Sequence, residues 1–92
     1  MSDDVLISAV IANDSATVEK LLSKSKNPNH CLDSDQITPL HFAAQHNAVH
    51  SAKILLKYGA DPKLKTKPDD YTALDIAQLH NNKEVIELLS NL

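Results

Sequence analysis

The chain has 92 residues, a formal net charge of −3 and 23% charged residues, enough for one small domain whose single globular core would be marginal. No overall basic excess argues for nucleic acid, and the longest apolar run, Ala9 to Ala12, is far too short to span a membrane. One Gly and four Pro exclude a flexible linker, and an aromatic content of 3% suits a core of Leu, Ala and Val.

Taken in chain order, Ser2-Asp3-Asp4 supplies N-cap candidates for a first helix through about Ala12. Asp14 or Ser15 caps a second helix to about Lys24, and Val18, Leu21 and Leu22 fall on one face of it. After an extended stretch, Thr38 can cap a third helix with Pro39 in its first turn, where the missing N–H costs nothing. The fourth carries Ala52, Leu55 and Leu56 and stops at Gly59, a residue suited to the position after a helix. A second extended stretch precedes a last pair over about 73–80 and 83–91, with Ile86 and Leu89 on the inner face.

These elements repeat. Leu6, Leu40 and Leu74 are 34 residues apart, as are Ala9, Ala43 and Ala77, Asn13, Asn47 and Asn81, and Leu21, Leu55 and Leu89. Three units cover roughly 3–29, 30–63 and 64–92 within one domain over 1–92. Each Asn of the series sits where two helices of a unit meet, a corner that needs φ > 0, which Asn tolerates better than most residues. A solenoid of such units buries each face against a neighbour, and three is about the minimum that stands alone. The ends read as ends: Ser90 takes the place of Leu22 and Leu56, and Asp4-Val5-Leu6-Ile7 replaces the motif found in the middle unit.

That motif is Thr38-Pro39-Leu40-His41-Phe42-Ala43-Ala44, echoed by Thr72-Ala73-Leu74-Asp75-Ile76-Ala77-Gln78. With its period, and with Ile54, Leu55, Leu56, Gly59, Ala60 and Asp61, the chain resembles the ankyrin-repeat family over almost all of its length. The resemblance implies an all-α solenoid of stacked antiparallel helix pairs, with β-hairpin-like fingers at about 29–38 and 63–72. It implies a structural role for His41, bonded to backbone near a finger base. Two departures stand out. Each finger is one residue longer than the family's usual period, and Gln36 and Asp70 stand where Gly is normal, so wider finger turns are expected.

The same resemblance implies a protein–protein interaction module, an adaptor or inhibitor, whose concave face of helices and fingers takes a partner. Its variable positions correspond here to Ile11 and Ala12, Gln45 and His46, and Leu79 and His80 near the helix corners. At the finger tips they correspond to Ser34, Asp35 and Ile37, and to Pro68, Asp69 and Tyr71. The apolar members would be costly to leave wet unless a partner or a repeat junction covers them. The alternative is an architectural, self-associating segment of a larger assembly without a dedicated groove.

Other constellations carry less. His46 and His80 fall at equivalent points of neighbouring units, about 8–10 Å apart if the helices pack normally, too far to share a metal, and no recognised zinc spacing completes them. His30 beside Cys31 would point to the opposite side of an extended segment, so no thiol nucleophile is expected. Lys63, Lys65 and Lys67 alternate on one finger and Asp33 and Asp35 on the other, a charge-protected edge or a bipolar surface for a charged partner. Asn29 reads as a brace of the first finger; in animal proteins its position resembles a site of asparaginyl hydroxylation. No acid–base pair, phosphate loop or nucleophile elbow points to an enzyme, and no cofactor, catalytic or metal residue is expected. Nor are nucleic acid or membrane expected as partners; a monomer with at most weak self-association is. The lone Cys31 and the lack of a basic segment followed by an apolar one suggest a cytoplasmic or nuclear setting.

Overall fold

The computed structural model describes residues 5–24, 26–29, 31 and 35–92. Six helices follow in order: α1 (Val5–Ile11), α2 (Ser15–Ser23), α3 (Pro39–Gln45), α4 (Val49–Lys57), α5 (Ala73–Leu79) and α6 (Lys83–Ser90). None is long enough to persist alone in water, so packing decides. Helices α1, α3 and α5 form one row and α2, α4 and α6 a second, with each helix also packed on its pair mate. The result is a three-unit solenoid of 30 × 26 × 20 Å. The small residues of the repeat permit the close stacking: Ala43, Ala44, Ala52 and Ala77 are fully buried between the rows, with Val18, Leu55 and Val85 filling the space around them.

Each pair turns its corner in the same way. The N–H groups of Asp14, Ala48 and Asn82 donate to the carbonyls of Ala9, Ala43 and Ala77, each at 2.9 Å. This closing bond spans five residues and puts the residue before it in the left-handed region. Asn13, Asn47 and Asn81 occupy that place at φ 55°, 53° and 54°, as the series of Asn residues predicts. The end of α4 repeats the device with Gly59 at φ 100° and a 2.9 Å bond from Ala60 to the Leu55 carbonyl.

The starts of the helices differ between rows. Thr38 and Thr72 cap α3 and α5 reciprocally with His41 and Asp75. Asp14 caps α2 by accepting from the Thr17 N–H at 3.3 Å. Helices α4 and α6 receive no capping bond from Ala48 or Asn82. Their caps come from the preceding unit. Asn13 Oδ1 accepts from the Ser51 N–H at 3.1 Å, and Asn47 Oδ1 from the Val85 N–H at 3.4 Å. Asn82 in turn sends its Nδ2 back to the carbonyls of Ala44 and Gln45, at 2.6 and 3.0 Å. On the outer row Lys57 pairs with Glu19 at 3.1 Å, which ties α4 to α2.

The second finger closes less regularly than a hairpin, and no strand occurs among the described residues. The Thr66 N–H donates to the Tyr71 carbonyl at 2.9 Å, but the return bond from the Tyr71 N–H goes to the Thr66 hydroxyl at 3.2 Å. A side chain therefore takes the place of a ladder carbonyl, over a loop of residues 67–70. Gln36 and Asp70 both keep φ at 58°, so the backbone shape normally given to Gly persists with other side chains. The second finger leans on the first through a 2.8 Å bond from the Lys67 N–H to the Asp35 carbonyl.

Candidate partner-binding face

His41 fixes where this face lies. Its Nδ1 accepts from the Thr38 N–H at 3.0 Å, so Nε2 carries the proton and donates to the carbonyls of Leu64 and Tyr71 at 3.1 and 3.0 Å. The ring thereby pins both sides of the second finger to the start of α3. Burial holds the His41 pKa below the ordinary imidazole value, against the opposing pull of the Tyr71 and Leu64 carbonyls. The expected structural role is the observed one. Asn29 likewise braces: its Oδ1 accepts from the Asp61 N–H at 2.7 Å and its Nδ2 donates to the Gly59 carbonyl at 3.3 Å.

The residues expected at the helix ends line up along the row of α1, α3 and α5. Ile11, Gln45 and Leu79 are the last residues of these helices. Ala12, His46 and His80 follow them, and all six are exposed. Ile11 is 40% exposed and Leu79 64%. Gln45 belongs to the central unit, flanked on both sides, and is still exposed. The register position 11/45/79 is thus open by geometry, and further stacking would not cover it. An apolar residue there is on the surface because of where it sits. On the fingers, Asp35, Pro68, Asp69 and Tyr71 are exposed and Ile37 is half-buried. Ser34, Asp33 and His30 lie outside the described residues.

Three of the expected residues meet in one place. Asp69, Tyr71 and Leu79 line a depression of about 440 Å³ together with Asp70, Asp75 and Gln78. The last three were not anticipated. The spacing of Asp75, Gln78 and Leu79 held the signal, because i, i+3 and i+4 share one helix face. The alternation of Lys63, Lys65 and Lys67 also stands: all three are exposed, while Leu64 is half-buried and Thr66 buried.

Paired short helices stacked in register and cornered by left-handed Asn, with the second finger pinned through a Thr-x-x-His cap, define a helical repeat protein. A family model described as "Ankyrin repeats (3 copies)" matches residues 6–92. The chain belongs to the ankyrin-repeat family. It is 37% identical to the potassium channel GORK of Arabidopsis thaliana, over 99% of this chain and 11% of the channel. It is 39% identical to the putative ankyrin repeat protein FPV031 of fowlpox virus (strain NVSL), over 88% of this chain and 25% of that protein. It is 42% identical to the mouse 2-5A-dependent ribonuclease, over 71% of this chain and 9% of the enzyme. The chain thus spans a quarter or less of the length of these relatives. Ankyrin repeats are generally protein–protein interaction modules and typically non-catalytic.

Proposed function

We propose that this chain is an adaptor or inhibitor module that holds a partner protein on the face made by α1, α3 and α5 and the fingers. The observation that carries this is the apolar Ile11 and Leu79 at a position that stays open even in the central unit, with Tyr71 beside it, 38% exposed. Isolated apolar residues on a surface are ordinary; Leu79 and Tyr71 lining one depression, rimmed by Asp69, Asp70, Asp75 and Gln78, resemble an interface core. The test is affinity capture from the source organism with the chain as bait. Tyr71→Ala combined with Leu79→Ala should weaken a captured partner at least about tenfold. Lys83→Ala, at the start of α6, should not. A double variant that binds normally, with outer-row substitutions abolishing binding, would move the site to the other side of the molecule.

A second reading has its own observation. At the end of the solenoid a depression of about 480 Å³ is lined by Pro62, Lys63, Lys65, Thr72, Leu74, Leu89 and Leu92. Leu74 is half-buried where its counterpart Leu40 is 1% exposed beneath the next unit. This face suits self-association or assembly into a longer array, and a mass that rises with concentration in sedimentation would favour it. A monomer in the cytoplasm or nucleus, without nucleic acid or membrane as partner, is the setting proposed for the first reading.

A further inference from the structure

Resting on that reading, we propose that the depression between the second finger and α5 takes an extended partner segment in which an Arg or Lys stands next to a bulky apolar residue. Its lining, Asp69, Asp70, Tyr71, Asp75, Gln78 and Leu79, combines an apolar floor with carboxylates and includes no Lys or Arg. The apolar part is the exposed Leu79 side chain, on the helix face it shares with Asp75 and Gln78, facing the finger that carries Tyr71. The charged part has capacity to spare. Asp69 and Asp70 are exposed. Asp75 uses Oδ2 to accept from the Thr72 N–H at 3.0 Å. Lys63 and Lys65 line the separate depression at the solenoid end, and the exposed Lys67 at the start of the same loop is not part of this lining.

The occupant follows from the two chemistries together. A long basic side chain lays its methylenes along Leu79 and the Tyr71 ring while its charged head reaches the carboxylates. The adjacent apolar residue covers what remains of Leu79. An acidic segment would be repelled. A bare cation would leave Leu79 and Tyr71 wet, which makes it the poorer fit.

The experiment selects a displayed library of random peptides of about twelve residues, a length that spans such a face in extended form, on the full chain. Selected peptides are then measured against three variants. Asp69→Asn with Asp70→Asn removes charge, and Asn keeps the left-handed backbone at position 70; circular dichroism checks that it folds. Leu79→Gln removes the apolar contact, and Lys83→Ala is the control. The expected result is enrichment of Arg or Lys beside Leu, Ile, Phe or similar residues. Affinity should fall about fivefold or more in the double Asn variant, as expected for exposed charge pairs; binding to the native chain should weaken as salt rises, and binding to the variant should be less sensitive to salt. Peptides that lose affinity in Leu79→Gln but show no basic enrichment and no loss in the double Asn variant would overturn the inference while leaving the proposed face intact. Peptides indifferent to both variants, or a library that yields none, would overturn the inference; indifference together with sensitivity on the outer row would overturn the face as well.

Discussion

His41 is buried yet fully satisfied, and only in its neutral form. Its Nδ1 must stay an acceptor for the Thr38 N–H, so protonation breaks that bond inside the fold. The folded-state pKa lies below the ordinary 6.5. Stability from this group is therefore fully present above that value and is lost as pH falls through it toward the folded pKa, because the unfolded chain takes up the proton first. The melting temperature should drop as pH falls below about 6.5, and a His41→Gln variant should show a flatter dependence there. A native chain with no drop there would contradict the assignment of Nδ1 as acceptor. Ser51 presents the opposite case. It is wholly buried, and its Oγ has no hydrogen-bond partner among the described residues. The equivalent position one unit later is Val85, also wholly buried. Ser51→Ala should leave stability unchanged or raise it, by up to about 1 kcal/mol, since an unsatisfied hydroxyl is removed from the core. A clear fall in the denaturant midpoint would mean that the hydroxyl has a partner in solution.

At the scale of the element, the helices were legible and their mutual capping was not. The period in Leu, Ala and Asn places every helix to within a residue or so, because each signal is local: Thr38 before Pro39, Asn13 at a left-handed corner, Gly59 after α4. The caps of α4 and α6 are supplied by Asn13 and Asn47 across a repeat boundary, which no local pattern encodes. The hint was negative. Asp14 caps α2 in the first unit, whereas Ala48 holds the same place in the second and cannot cap. The finger was least legible for the same reason. Its shape rests on His41 from α3 and on Asp35 from the first finger, so a missing Gly at position 70 did not change the backbone there. The dual role of the corner Asn predicts an order of effects. Asn13→Gly keeps the left-handed backbone but strips the cap from α4, whereas Asn81→Gly strips no cap, since no helix follows α6 in the structure. Asn13→Gly should therefore be the more destabilising in urea melts, by about 0.5–1.5 kcal/mol, the net worth of one hydrogen bond. Equal effects would mean that the Asn13 bond to Ser51 contributes nothing to stability.

Across the whole molecule, the stacked units sort apolar residues into two kinds. Leu40 is covered in the central unit, so its half-buried counterpart Leu74 marks where stacking could continue. Ile11 and Leu79 belong to a position that stacking leaves open, so they mark where something else can bind. Both kinds look alike as a list of leucines and isoleucines, and only the register against the flanked middle unit separates them. The candidate face was accordingly half legible: the positions of Tyr71, Asp69 and Leu79 followed from the family's geometry, while Asp70, Asp75 and Gln78 joined them only once the finger was seen against α5. The central claim is that Leu79 is a binding residue and not a structural one, and the most direct test is the affinity of a captured partner for Leu79→Gln beside the native chain, with a thermal melt as the fold check. Gln stands at this position in the central unit, so the melting temperature should shift by no more than about 1 °C, in keeping with a surface change of small energy. Affinity should fall about tenfold or more. Unchanged affinity, or a loss of stability like that of a buried Leu, would contradict the account.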